Sequence, residues 1–231
     1  RALEHAINQE EIVQVLYRGE AVPTPGTMYP GSPCYWEESE DVYPFDLEKG
    51  KALLAEAGWT DTDGDGWVDK DGEKMELLLV NAFIEDLGPM IQAQLAELGV
   101  DASIDLVSGP IQLERAIEGD FHTILQSMRY ADPGVIDMLY NSKNLGPGGW
   151  SWTRYKDPEL DALLDESAVT VDPEKRCELI VEAQKIIHDQ ALMLPLYGSQ
   201  ANAVMRDNVR GVDFGSRPNV DFWLYDAYVE E

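Results

Sequence analysis

Residues 75–128, MELLLVNAFIEDLGPMIQAQLAELGVDASIDLVSGPIQLERAIEGDFHTILQSM, carry the hydrophobic pattern that predicts the fold class. The first six residues are mostly apolar and predict a short strand. Apolar residues then recur at helical spacing over 87–98, and Gly99 ends that helix. Residues 100–107 alternate between apolar and polar side chains, which indicates a half-buried strand.

A second helix and a third strand complete this unit. Pro110 opens the helix, Gly119 ends it, and residues 121–128 form an apolar run that suits a buried strand. Strands that alternate with helices through short links predict right-handed crossovers and mainly parallel pairing. The pattern therefore predicts an α/β fold built on a β-α-β-α-β unit.

The following stretch, FHTILQSMRYADPGVIDMLYNSKNLGPGGWSWTRYKDPELDALL at 121–164, predicts a ligand-contacting edge. The third strand breaks at the Tyr130-Ala-Asp-Pro133 turn, and a Gly/Pro-rich loop then places several large side chains together: Trp150, Trp152, Arg154 and Tyr155. Ligands of open α/β sheets bind beyond the carboxyl ends of the strands. Aromatic side chains with a few fixed charges suit a small-molecule pocket, so we interpret this edge as a binding site and not a catalytic centre.

The remaining segments flank this unit. A helix is predicted over 2–18, where Asn8 and Glu11 have capping-box spacing. A long Pro/Gly-rich loop follows at 19–45, and Asp46 caps a helix that ends at Gly58. Further elements are helices that begin at Asp157-Pro158 and Asp172-Pro173, and strands over 191–197, 201–205 and 220–228.

Composition excludes several classes of partner. The 231 residues include 44 acidic and 17 basic side chains, a formal charge of −27. Such a surface argues against nucleic acid and against anionic lipid, and it favours high solubility. No apolar run is long enough to span a bilayer and no signal peptide is visible. Since the chain begins inside a helical pattern, we expect a fragment of a longer protein.

The two cysteines leave their state open. Cys34 lies in the Pro-rich loop and Cys177 in a helical pattern, and neither belongs to a CxxC pair or a metal-ligand spacing. The sequence is compatible with free, partly buried thiols and with a disulfide.

An acidic loop at 61–72 resembles a calcium-binding loop. Asp61, Asp63 and Asp65 occupy its first, third and fifth positions, and Gly66 supplies the bend. The Trp67 carbonyl and Asp69 would complete the ligand set. The twelfth position, which carries a bidentate Glu in an EF-hand, is Gly72. The alternative is an acidic β-hairpin without an ion.

Support for catalysis is thin. His5, His122 and His188 show no metal-ligand spacing, and no G-x-S-x-G, HExxH or phosphate-binding motif is present. A secreted glycosidase-like enzyme and a calcium-stabilised structural or adhesion module are the two alternatives to a receptor. No cofactor is expected beyond the calcium ion.

Several motifs in order resemble the C-terminal lobe of family 5 extracellular solute-binding proteins, the peptide-, nickel- and oligosaccharide-binding components of ABC importers. The matching pieces are 2–23, KALLAEAGW at 51–59, the hairpin at 61–72, YADP at 130–133, YKDPELD at 155–161, 176–184 and LPLY at 194–197.

The resemblance implies one lobe, residues 1–231, of a two-lobed fold with a mixed sheet and flanking helices, and the N-terminal lobe would be missing. The whole protein would be periplasmic or extracellular, and either secreted or anchored through a lipid at its missing N-terminus. It would close by a hinge motion on a peptide-like solute, a sugar or a metal chelate and deliver it to a membrane permease. The residues expected to contact the solute are Arg129, Tyr130, Asp132, Trp150, Trp152 and Arg154.

One position departs from the peptide-binding members of that family. They often carry an Asp just before the Tyr-x-x-Pro turn, which holds the amino group of the peptide, and this chain carries Arg129. A guanidinium can instead grip a carboxylate with two hydrogen bonds. Each of these contacts has an alternative that stays open. Arg129 would pair with Asp132 or Asp137 and fix the turn instead of holding a solute. Trp150 and Trp152 would pack against a neighbouring lobe instead of a solute.

Overall fold

The computed structural model describes residues 1–82, 86–128, 132–199, 204–213 and 223–230. The helices are α1 Ala2–Ala6, α2 Gln9–Tyr17, α3 Leu47–Glu56, α4 Leu87–Glu97, α5 Gly109–Glu118, α6 Val135–Tyr140, α7 Pro158–Val169 and α8 Pro173–Asp189. The strands are β1 Ala21–Val22, β2 Asp69–Lys70, β3 Glu73–Lys74, β4 Glu76–Asn81, β5 Asp101–Leu106, β6 Thr123–Ile124, β7 Gly198–Ser199, β8 Val209–Arg210 and β9 Tyr228–Val229. Two 3-10 turns lie at Glu37–Asp41 and Ser142–Asn144.

The predicted β-α-β-α-β unit is confirmed. Strand β4 lies between β5 and β6 and pairs with both in parallel, as crossovers through α4 and α5 require. The antiparallel pairs β1–β7, β2–β3 and β8–β9 form separate two-stranded sheets. The protein therefore has an α/β architecture with helices flanking small sheets.

The third strand is much shorter than predicted. We expected residues 121–128, but only Thr123–Ile124 is a strand, with a further bond from the Leu125 N–H to the Val80 carbonyl. Within the part of the chain that the structure describes, β4 is the one neighbour of β6, which places β6 at the edge of the sheet. Because β4 ends at Asn81, residues 126–128 have no further residues of β4 to pair with.

The first predicted helix is wrong as a single element, because it breaks between α1 and α2. Asn8 has an extended backbone, and its side-chain oxygen accepts from the Glu11 N–H 3.1 Å away. An Asn side chain competes for helix N–H groups and favours the N-cap. Gln94 stabilises the break, since its side chain bonds both the N–H and the carbonyl of Asn8.

Of the three strands predicted near the C-terminus, the one over 191–197 is wrong, and the other two lie partly outside the described residues. Residues 191–197 are irregular, because Pro195 cannot donate to a ladder and the neighbouring apolar side chains pack into the two cores. Residues 204–205 are not a strand, and 201–203 and 220–222 lie outside the described residues. Of 220–228, Trp223 forms an isolated bridge and Tyr228 belongs to β9.

Two hydrophobic cores hold these elements. The sheet core packs α1 to α4 against β4 and β5 and includes Ile12, Leu79, Leu87, Leu98 and Val100. The helical core joins α6, α7 and α8 through Met28, Ile136, Leu160, Leu164, Ile180 and Ile187. None of the helices in the described ranges combines the length and the apolar character that crossing a membrane demands.

A disulfide links Cys34 to Cys177, so the alternative of free thiols is wrong. The Cα atoms lie 4.8 Å apart, although 143 positions separate the residues along the chain. Residues 23–46, which we call the strap, have no regular structure beyond the 3-10 turn, and they run over α8. Because the strap forms no regular ladder of backbone hydrogen bonds, the disulfide to helix α8 keeps it in place.

Polar side chains fasten the strap along α8. The Gln184 amide group donates to the Cys34 carbonyl at 2.8 Å and accepts from the Thr27 hydroxyl at 2.9 Å. The Tyr43 hydroxyl donates to the His188 carbonyl at 2.8 Å. The strap is therefore a fixed part of the helical half of the protein.

Candidate functional site

The carboxyl edge of the parallel sheet carries a buried hydrogen-bond acceptor. Gln112 of α5 is 3% exposed, and its amide nitrogen donates to the Leu125 carbonyl just beyond β6. Its Oε1 atom has no partner in the part of the chain that the structure describes. Buried polar atoms are normally paired, so Gln112 marks this edge as a place for a polar group. Sequence reasoning missed it, because one Gln in an amphipathic helix carries no motif.

The turn after this edge is fixed by an ion pair. One oxygen of Asp132 accepts from the Gly134 N–H at 2.7 Å and from Arg176 of α8 at 2.8 Å. The Gly134 N–H, followed by the Arg176 guanidinium, holds the pKa of Asp132 below its ordinary value. A Cβ atom on Gly134 would lie 2.9 Å from the Asp132 carboxylate, so a larger residue there would displace this side chain. Asp132 therefore shapes the turn.

Arg176 is a second residue that sequence reasoning missed as part of the site, because it lies 44 positions away from Asp132. Arg129 and Tyr130 lie outside the described residues. The carboxylates considered as alternative partners for Arg129 have other cations: Asp132 pairs with Arg176, and Asp137 pairs with Lys143.

The tryptophans form an aromatic platform. Trp150 and Trp152 stack with ring centroids 5.2 Å apart and an angle of 22° between the rings. Trp150 is 41% exposed, and the Trp152 indole N–H donates to the Gly149 carbonyl at 3.3 Å. A Cβ atom on Gly149 would lie 1.8 Å from the Asn144 carbonyl oxygen, so only glycine lets the loop fold back. The platform offers a flat apolar face to solvent.

A polar network anchors the base of this loop. The Lys143 ammonium lies 2.9 Å from Asp137 and 2.6 Å from Asp165, which joins α6 to α7. The Asn141 amide also donates to both carboxylates. Lys143, followed by Asn141, lowers the pKa of Asp165. The network holds the loop against the helical core, so the platform is positioned by rigid elements.

Arg154 lies away from the turn at Asp132. Its backbone has a positive φ of 56°, and its guanidinium donates to the Ile117 carbonyl at 2.6 Å. A Cβ atom on Gly119 would lie 2.5 Å from that guanidinium. Arg154 thus satisfies a carbonyl at the C-terminal end of α5, near the amino end of β6. Asp132, in contrast, follows the carboxyl end of β6. The described contacts do not join Arg154 to Asp132.

The acidic loop gathers three carboxylates. One oxygen from each of Asp61, Asp63 and Asp65 lies within 4.8 Å of the others, and all three residues are exposed. Asp61 accepts from the Gly64 and Gly66 N–H groups at 2.7 and 3.0 Å. Asp71 and Gly72 both have positive φ and form the turn between β2 and β3, as the hairpin alternative predicts.

The other predicted ligands behave differently. The Asp69 carboxylate accepts from the Thr62 N–H at 2.9 Å and from its hydroxyl at 2.8 Å, and Asp69 is 9% exposed. The Trp67 N–H donates to Asp65. Lys74 forms an ion pair with Asp65 and is the first cause of its lowered pKa, before the Trp67 N–H. Three converging carboxylates fit a hard cation, although Lys74 already neutralises one of them.

Each histidine has a structural contact. His5 Nδ1 lies 2.8 Å from the Pro44 carbonyl, and His122 Nδ1 accepts from the Leu78 N–H. His188 packs edge-on against Trp36, and burial lowers its pKa. Among the described residues, the acidic loop is the one group of His, Cys, Asp and Glu side chains with metal-binding geometry.

Known proteins resemble this chain over most of its length. It is 28% identical to the oligopeptide-binding protein AppA of Bacillus subtilis over 96% of this chain and 43% of that protein. The haem-binding protein A of Haemophilus influenzae is 29% identical, with coverages of 91% and 38%. The dipeptide-binding protein of Escherichia coli is 28% identical, with coverages of 91% and 39%. The chain therefore spans about two fifths of the length of these relatives.

The structure of AppA from Bacillus subtilis superposes with a TM-score of 0.79 at 24% identity, covering all of this chain and 47% of that chain. This likeness confirms the α/β fold, which the chain shares with part of a peptide-binding protein. The family model described as bacterial extracellular solute-binding proteins, family 5 middle, matches residues 1–150. The resemblance predicted from the sequence motifs is thus confirmed, and the chain belongs to the family 5 bacterial extracellular solute-binding proteins.

Proposed function

We propose that the whole protein is the solute-binding component of an ABC importer, which captures a small solute outside the cytoplasm and hands it to a membrane permease. The family match over residues 1–150 carries this proposal. The relatives bind oligopeptides, dipeptides and haem according to their names. Members of the family bind solutes and are not enzymes, so the glycosidase alternative loses its support.

In this proposal residues 1–231 are a single lobe, and a second lobe forms the other wall of the cleft. The chain spans about two fifths of its relatives, which supports this division. The disulfide supports a periplasmic or extracellular location, since disulfides persist in oxidising compartments. A lipid anchor at the N-terminus belongs to the same proposal.

The solute site combines the edge beyond β6 with the aromatic platform. Gln112 offers an unpartnered acceptor, and the stacked pair of Trp150 and Trp152 offers a flat apolar face. Arg129 directly precedes the turn that begins at Tyr130 and that Asp132 fixes, and Arg129 would attract a carboxylate. Arg154 would contact solute only at the far end of α5. A peptide-like solute, a sugar and a metal chelate are all compatible with these groups.

The test of this function is saturable binding without turnover by the full-length protein. A thermal-shift screen of peptides, sugars and metal chelates selects a solute, and calorimetry then measures its affinity and stoichiometry. We expect one site and an unchanged solute after prolonged incubation. Chemical conversion of the solute, or no binding by any of these classes, would contradict the proposal.

We expect Trp150→Ala to weaken solute binding by the full-length protein about tenfold, because it removes the exposed half of the aromatic platform. The measurement is the dissociation constant of the selected solute by calorimetry. Phe45→Ala, which removes an aromatic side chain of similar exposure on the strap, is the matched control and leaves the affinity unchanged. Equal affinities of the Trp150 variant and the unmodified protein would remove the platform from the site.

We also propose that the acidic loop at 61–72 binds a structural Ca²⁺ ion weakly. Asp61, Asp63 and Asp65 would hold it, because their carboxylates converge and repel each other without a cation. The Trp67 carbonyl is a further ligand in this proposal. Asp69 supports the loop and does not coordinate the ion directly, since its carboxylate already accepts hydrogen bonds from Thr62.

We expect 10 mM Ca²⁺ to raise the melting temperature by about 3 to 8 °C, given a millimolar to submillimolar affinity. EDTA is expected to reverse the rise, and Asp63→Ala to abolish it, because alanine offers no side-chain oxygen to the ion. Asp41→Ala removes one exposed carboxylate elsewhere and serves as the control that keeps the response. A melting temperature that is insensitive to Ca²⁺ would leave the hairpin without an ion.

A further inference from the structure

An open cavity lies over the Cys34–Cys177 disulfide. Its volume is about 590 Å³, and both cysteines form part of its wall. Both residues are partly exposed. A disulfide in the wall of an open cavity is more exposed to thiol exchange than a cross-link enclosed in a core.

Four glutamates line the same cavity. Glu174, Glu178 and Glu182 follow each other at intervals of four residues on α8, which places them on one face of the helix. Glu37 joins them from the 3-10 turn of the strap. The wall of the cavity contains no basic residue among those that the structure describes.

Most of this negative charge has no counter-ion. Glu182 pairs with Lys185 at 2.7 Å, but no cation within the described ranges pairs with Glu37, Glu174 or Glu178. Two basic residues near the start of α8 are engaged elsewhere: Lys175 pairs with Glu166 at 3.2 Å, and Arg176 pairs with Asp132 at 2.8 Å. At least three charges therefore act on whatever enters the cavity.

The size of the cavity makes these charges effective. A volume of 590 Å³ corresponds to a space about 10 Å across, which is about the Debye length at 0.1 M salt. Dissolved ions consequently screen the carboxylates only in part. Clefts lined by charge of one sign focus the field and change the local concentration of charged reagents.

Thiol exchange proceeds through an anion. A thiolate attacks one cysteine sulfur and forms a mixed disulfide, the Cys34–Cys177 bond breaks, and the other cysteine leaves as a thiolate. A second thiolate then attacks the mixed disulfide, which releases the small disulfide and the second cysteine thiolate. Two thiols are oxidised and one protein disulfide is reduced. The approach of the attacking anion is the step that the glutamates oppose.

We propose that Glu37, Glu174 and Glu178 make the Cys34–Cys177 disulfide an exchange site that selects thiols by charge. Thiolates that carry a compensating ammonium group enter the cavity and react, whereas anionic thiolates are repelled. The acidic wall thereby protects the cross-link of the strap against anionic thiols without burying it. The field also disfavours the departing cysteine thiolate, but that effect is equal for all attacking thiols and does not alter the selection.

Three small thiols test the selection on the oxidised, folded protein. The reacting thiolate of cysteamine has no net charge, that of 2-mercaptoethanol has one negative charge, and that of 2-mercaptoethanesulfonate has two. Rates of cysteine release are measured by alkylation and mass spectrometry, and each is divided by the thiolate concentration. The same rates on bis(2-hydroxyethyl) disulfide correct for the intrinsic reactivity of each thiol.

At 0.1 M ionic strength we expect the corrected rate ratio of cysteamine to 2-mercaptoethanesulfonate to be about tenfold or more, with 2-mercaptoethanol between them. In 1 M salt, where the Debye length is about 3 Å, the ratio is expected to fall close to one. A ratio near one already at 0.1 M would overturn the proposal.

Matched variants separate the local charges from the net charge of −27. The triple variant E37Q/E174Q/E178Q is expected to lose the selection. The control E97Q/E114Q/E118Q removes three exposed carboxylates from α4 and α5 and is expected to keep it. Far-UV circular dichroism verifies the fold of both variants. Equal loss in the two variants would assign the selection to the whole surface and overturn the local assignment, as would full retention in the first.

Discussion

Replacing Cys34 and Cys177 by serine is expected to lower the free energy of unfolding by about 3 to 5 kcal/mol. The disulfide closes a loop between residues 143 positions apart. A cross-link restricts the unfolded chain more as the enclosed loop lengthens, and a loop of about 100 residues corresponds to about 4.7 kcal/mol. The effect is large because 231 residues provide a net stability of only about 5 to 15 kcal/mol.

The non-covalent contacts between the strap and α8 explain the lower value of about 3 kcal/mol for this loss of stability. Gln184, Tyr43 and the buried Met28 hold the strap without the covalent bond, so part of the native structure resists its loss. We therefore expect the serine variant to fold with a looser strap, and not to lose the helical core.

Urea unfolding followed by circular dichroism measures the change. The reduced protein without substitutions is the matched control, because it loses the same bond and keeps the sulfur atoms. Both forms should show a similar fall in the free energy of unfolding relative to the oxidised protein. A fall of less than about 0.5 kcal/mol in both would mean that the cross-link contributes little to stability.

Glu4→Gln is expected to stabilise the protein by about 2 to 5 kcal/mol at pH 8 and by very little at pH 4.5. Glu4 is only 8% exposed, and burial raises the pKa of its carboxyl from 4.5 to about 8. The rise of this pKa from 4.5 to about 8, at about 1.36 kcal/mol per pH unit, sets the upper value.

The sign of this pH dependence follows from the number of protons that Glu4 binds in the folded and in the unfolded state. Between pH 4.5 and 8 the folded state keeps the proton on Glu4, whereas the unfolded state has released it. Stability therefore falls as the pH rises through this window, because the native state binds more protons. Below pH 4.5 both states are protonated and the contribution of Glu4 is fully present. A glutamine stays neutral at every pH, so the variant loses this slope.

The unfolding free energies of the two proteins are compared at several pH values from 4.5 to 8. Glu10→Gln is the matched control, because Glu10 is exposed on the neighbouring helix α2 and should leave the pH dependence unchanged. A constant difference between Glu4→Gln and the unmodified protein across this range would show that the carboxyl is ionised in the fold.

Local features of the sequence determined the helix ends and the class of fold. Asp46, Asp157 and Asp172 each accept backbone N–H groups at the start of a helix, as predicted. These bonds join residues two or three positions apart, so the order of residues alone decides them. The same holds for the helical and alternating periods of 75–107, which depend on side-chain direction along one element.

Contacts between distant residues decided the remainder. The run at 121–128 has strand character throughout, but its length as a strand depends on where β4 ends. The pairing of Cys34 with Cys177 and the burial of Glu4 also depend on how the helices pack. No local pattern encodes such contacts, because packing against another element overrides local preference.

The candidate site shows the same division. The sequence by itself determined the aromatic loop, the Asp-Pro turn and the gathering of Asp61, Asp63 and Asp65, since each lies within a short stretch. Only the tertiary structure decided that Arg176 fixes the turn from α8, that Gln112 brings a buried acceptor to the sheet edge, and that Arg154 bonds to the far end of α5. The physical reason is that hydrogen bonds and ion pairs depend on distance in space, and these partners are 13 to 44 positions apart in the chain.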